Sequence, residues 1–141
     1  MRDLKTAHKR LEKLAETYKK HEGAYRESPA EPDTSKFIAP QYGDIVAVLN
    51  GSPRSYMLLG LTVGSTWGMP PRDPNSRDPS AIEAWRKAVR EGIELRKKVF
   101  AEARAIMEPV AKKYGLTIRE SIGTAYSQIG IEGERGMQLV P

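Results

Sequence analysis

The sequence predicts an α+β fold of two layers. An antiparallel sheet of about four strands, in two hairpins, is packed by one long helix and an N-terminal helix. Three observations carry this. Apolar residues from Ile82 to Tyr114 recur at steps of three and four. Two apolar runs flank Asn50-Gly51, a hairpin signal. A second pair of short β-type runs lies between Leu116 and Glu132. At 141 residues the chain suits one domain, 1–141.

The first helix is expected over residues 2–27. Leu4, Ala7, Leu11, Leu14, Tyr18, His21 and Tyr25 keep heptad spacing. That face fits packing inside the fold, or a coiled-coil seam to a second copy. On the opposite side Arg2, Lys5, Lys9, Lys13 and Lys20 fall in a sector of roughly 80°, with Glu16 the only acid among them. Lys5–Lys9 and Lys9–Lys13 are like-charge neighbours one turn apart, which a sequence shaped only for helix stability avoids. Such a ridge can follow a phosphate backbone or an acidic protein surface. The Pro-containing stretch from Ser28 to Lys36 reads as a loop and leaves room for the helix to lie apart from the body.

The first hairpin pairs Ile45–Leu49 with Tyr56–Val63 around a turn at Asn50–Arg54. Pro53 makes that turn longer than two residues. Both strands are apolar at nearly every position, as central or covered strands are. The irregular stretch from Gly64 to Arg77 holds Trp67, Met69, Arg72 and Arg77. Trp with Arg is the composition of a binding hot spot and suits stacking on an exposed base; the same residues would also serve as a lid on the core.

The long helix is expected from Asp78 to Tyr114, roughly 50 Å. Asp78 is the cap, Pro79 takes the first turn, and Gly115 is the stop. Ser80 with Glu83 offers a second possible start. Pro109 should kink the helix or end it a turn early. Arg96 falls in the apolar sector, where it needs a partner: an acid from elsewhere, or solvent if the helix protrudes there. The second hairpin follows, from Leu116 to Glu132, turning at Gly123-Thr124. The glycine-rich tail ends in Met137, Leu139 and Val140, which suit docking on the body or a partner.

The chemistry looked for is mostly absent. With no cysteine, disulfides and thiol catalysis are excluded. His8 and His21 point about 140° apart on the first helix and cannot share a metal from it. No phosphate-binding loop or nucleophile elbow occurs. Gly130 and Gly133 match the glycine pair of a KH loop, but without its flanking helices. Asp44, Asp73 and Asp78 have no spacing that marks a metal site. The expectation is a non-enzymatic protein with no cofactor and no metal.

No apolar run reaches the ~18 residues of a membrane span, and Met1–Lys5 lacks the apolar core of a signal peptide. A cytoplasmic location is expected. Cysteine is absent, amides are few and Arg, Lys and Glu dominate, which resembles a thermophile-like composition. A net charge of +5 favours acidic partners. The reading is a small basic protein docking on nucleic acid, or on a nucleic-acid machine such as an RNA polymerase or ribosome. The alternatives are a phage-type or accessory transcription factor acting in transcription regulation by contact with RNA polymerase, and a structural subunit that self-associates through its N-terminal helix.

Overall fold

The computed structural model describes residues 2–21, 43–49, 56–70 and 77–134. Helix α1 (Arg2–Tyr18) runs into a single 3-10 turn, Lys19–His21. Strands β1 (Ile45–Leu49) and β2 (Met57–Val63) form the first hairpin pair. Helix α2 (Pro79–Tyr114) follows, then β3 (Thr117–Ser121) and β4 (Ser127–Glu132). The strands form one antiparallel sheet in the order β1-β2-β4-β3. The chain thus repeats one topology, helix then hairpin, and each hairpin gives its second strand to the centre. The Asn50–Arg54 turn, the 28–36 loop, residues 22–27, Arg72, Asp73 and the tail from residue 135 lie outside the described residues.

Both helices lie on one face of the sheet. Alternation along β2 and β4 sends Leu59, Leu61, Val63, Ile129 and Ile131 toward them, and all five are fully buried. Leu4 and Leu11 of α1 and Val99, Phe100, Ala103 and Met107 of α2 fill the same core. The heptad face of α1 is therefore spent inside the fold, and the described part of that helix lies on the body. β2 is buried at all seven positions, as expected of a central strand. β1, apolar throughout, is instead an edge strand in the sheet, shielded by α1.

Local signals place the ends of α2. Asp78 accepts a hydrogen bond from the Ser80 amide at 3.0 Å, so the cap is Asp78 and not Ser80. Gly115 takes φ 65°, and the Gly115 and Leu116 amides bond back to Lys112 and Ala111, a Schellman ending. Pro109 does not end the helix, which continues to Tyr114. The carbonyl deprived of its donor belongs to Ala105, which is exposed and open to water.

Two details fix the packing. Gly60 and Gly130 face each other across β2 and β4, and Met57 lies over both. A Cβ at Gly60 would run into the Ile129 carbonyl and stand 2.9 Å from the Gly130 Cα. Asp3 and Lys113, 2.8 Å apart, join the start of α1 to the end of α2, so the helices are antiparallel. The ammonium beside it holds the Asp3 carboxyl below the usual carboxylate range.

Gly60→Ala should therefore cost about 1–3 kcal/mol in urea unfolding. Gly123→Ala, where a Cβ meets open space, should change stability by less than about 0.5 kcal/mol; equal losses would contradict the packing described. Because the folded carboxyl of Asp3 is depressed, its contribution is complete above the ordinary value near 4 and is lost as pH falls below it. The stability gap between wild type and Asp3→Asn should thus be constant near neutrality and shrink below pH ~4. A gap that widens on acidification would reverse the sign.

Candidate functional site

Two surfaces emerge from this frame. The first is the outer side of α1. With Leu4, Ala7, Leu11 and Ala15 pressed on the sheet, Lys5, Lys9, Lys13 and Lys20 are all exposed and turned away from it. Among the described residues, no carboxylate stands within ion-pairing distance of these four lysines. Of the acids on α1, Glu12 reaches back to His8 at 3.2 Å and Asp3 to Lys113, while Glu16 is exposed within the ridge itself. Arg2 opens the helix, and its side chain lies outside the described set. The direction that helical period gives Lys5, Lys9, Lys13 and Lys20 and their exposure in the fold agree.

The second surface is built around the segment 64–70. Gly64 donates to the Asp44 carbonyl at 2.8 Å, and Gly68 to the His21 carbonyl at 2.7 Å. Gly68 has φ 71°, which a residue with a side chain resists. A Cβ on Gly92 would meet the Gly68 carbonyl oxygen at 2.5 Å, so loop and helix approach as only glycine permits. The loop is thus held at the junction of α1, β2 and α2.

Trp67 is turned inward and has no exposed surface. Its ring meets His21 edge to face at 6.0 Å between centroids. Here it is a lid on the core and offers nothing to a partner, whereas loop composition had pointed to a contact residue. The cause lies behind it. Arg96 is fully buried, and its guanidinium donates to the carbonyls of Gly64, Ser65, Trp67, Gly123 and Ala125 and to the Ser127 hydroxyl, all within 3.3 Å. The loop must face inward for those carbonyls to reach the guanidinium. Neither partner expected from the sequence is used: among the described residues no acid pairs with Arg96, and the helix does not expose it. Burial lowers its pKa to about 10, so the group stays charged at neutral pH.

Met69 is half-buried beside this cage and Arg77 is exposed at the head of α2. Burial along α2 starts only at Gly92, so the turns before it project past the sheet. Arg77 stands at the far end of this arm, about 22 Å along the axis from Gly92, and does not join Met69. Arg72 lies outside the described residues. The residue that sequence reasoning did not single out is Trp85, set in the apolar sector of α2 by its helical period yet 41% exposed. It lines a groove of about 360 Å³ with Ser65, Thr66, Met69, Pro70, Val89 and Thr124. Nothing in the sequence says where along α2 the body stops, so no local signal could have found it.

Among the described residues no group of three His, Asp or Glu gathers as a metal site, and no helix is long and apolar enough to cross a membrane. Compared with protein-family models, with curated proteins and with solved structures, the chain matches none.

Arg96→Met should unfold the junction rather than merely loosen it. Five carbonyls would lose the guanidinium as donor, those of Gly64 and Trp67 in buried surroundings, at a cost of about 3 kcal/mol or more. Arg96→Lys should recover only part of this, since an ammonium cannot reach both loops with a flat fork. Denaturant midpoints of the three proteins decide it, and a near-neutral Arg96→Met would show the cage to be incidental.

Proposed function

We propose that the protein is a non-enzymatic nucleic-acid-binding module of the cytoplasm that docks through the outer face of α1. The observation that carries this reading is the row of exposed lysines, Lys5, Lys9, Lys13 and Lys20, which no carboxylate among the described residues ion-pairs, on a helix whose other side is anchored in the core. Lysines four residues apart stand about 6 Å apart along a helix axis, close to two of the ~3.4 Å axial steps between phosphates of one duplex strand. An anchored helix keeps that spacing, so the ligand meets a preformed row. The net charge of +5 adds long-range attraction. A backbone-directed ridge has no base-reading groups, so sequence preference should be weak.

The test is binding of a labelled duplex by fluorescence anisotropy across a salt series. A plot of log affinity against log salt should fall with a slope of about −0.9 per phosphate contacted, so near −3 to −4 for this ridge. The double variant Lys9→Glu/Lys13→Glu should flatten the slope by about 2 while leaving thermal stability within about 0.5 kcal/mol of the parent. Affinity indifferent to salt, or a slope untouched by the double variant, would remove the lysine ridge from consideration.

A further inference from the structure

The lysine ridge of α1 is interrupted, and the interruption limits what it can hold. Lys5, Lys9 and Lys13 advance about 6 Å and turn ~40° around the axis at each step, so they form one continuous row. The next place on that row belongs to Thr17. Its hydroxyl donates to the Lys13 carbonyl at 2.9 Å, so the proton that would serve a phosphate is held by the helix itself. Beside it stands Glu16, exposed, three residues after Lys13 and four before Lys20. Among the described residues no cation ion-pairs with Glu16.

Lys20 lies past the end of α1, on the 3-10 turn Lys19–His21. Along the axis it stands about 11 Å beyond Lys13, nearly two steps of the row. A nucleic-acid strand carries a negative charge on every phosphate. A strand that follows the three lysines therefore meets the Glu16 carboxylate at its fourth step, before it reaches Lys20. Two unneutralised like charges in contact repel. At cellular salt an exposed cation acts over only about 8–10 Å, so Lys20 cannot hold the strand from the far side of the acid.

We infer, resting on the docking role proposed for α1, that its site holds three phosphates of one strand, one each on Lys5, Lys9 and Lys13, and that Glu16 closes the row. Glu16 is then a negative determinant, which turns the strand away from the helix and keeps Lys20 out of contact. A row that touches one strand requires no second one. Its ligand class is a three-phosphate run, whether single-stranded or part of a duplex.

The experiment measures fluorescence anisotropy of the full chain with a labelled duplex and with an oligothymidine single strand, each across a salt series. The plot of log affinity against log salt should slope at about −2.7 for the duplex and about −2 for the single strand. Lys20→Gln should leave the duplex slope unchanged, whereas Lys13→Gln should flatten it by about 0.9. Glu16→Gln should tighten duplex binding about threefold at low salt and steepen the slope by about 0.9, because Lys20 then joins the row. Adding Lys20→Gln to Glu16→Gln should return the slope to that of the parent. All three positions are exposed, so thermal unfolding should be close to the parent's in every variant. If Glu16→Gln leaves affinity and slope unchanged, or Lys20→Gln flattens the slope as much as Lys13→Gln, the three-phosphate row is overturned while the docking role of α1 stands. A parent slope near zero removes both together.

Discussion

A single cation holds the two halves of this fold in register. Arg96 sits on α2, its acceptors lie on the loop after β2 and on the turn between β3 and β4, and these belong to different hairpins. Burying a guanidinium is costly unless every N–H finds an acceptor. Here main-chain carbonyls supply that need instead of carboxylates. The choice has a structural meaning: a carboxylate can swing to meet its partner, whereas carbonyls are available only where the backbone has the right path. The charge therefore dictates the course of two loops at once, and the sheet's central pair, β2 with β4, ends where they meet.

This dependence explains the division of surfaces. With the loop drawn inward, Trp67 closes the core over His21, and Gly68 and Gly92 bring loop and helix into backbone contact. The same junction is where burial along α2 begins, leaving the helix arm and Trp85 beyond it. Meanwhile α1, held along β1 and β2 by its leucines, turns its lysines outward at the other side of the layer. The buried cation and the exposed ones answer to different physics. One is solvated by protein dipoles, and the others by water.

Much of this was legible in the sequence, and the limits have physical causes. The ends of α2 were legible because Asp78-Pro79 and Gly115 act within one turn of their own positions. The lysine ridge was legible because helical period fixes direction around an axis. Period does not fix how far the neighbouring body extends along that axis, so it sets Trp85 in the apolar sector without showing that the core ends short of it. Composition left the Trp67 loop open between a binding surface and a lid on the core, because it could not register the pull of Arg96. The arginine itself stood out as a problem. Its solution did not, because every residue type has a carbonyl, and only the small residues at Gly64, Ser65, Gly123 and Ser127 hint that backbone could crowd around it.

One consequence follows from the strand order. Central places go to β2 and β4, so β1 and β3 are left at the rims. β3 is short, wet along nearly its whole length, and carries Arg119 and Glu120, tied to Glu132 and Arg104. A foreign strand adding itself there would have to set its own side chains against a charged, water-bound ribbon and would gain no apolar stripe in return. That rim disfavours sheet growth on the β3 side, in a sheet whose central strand β2 is apolar almost throughout.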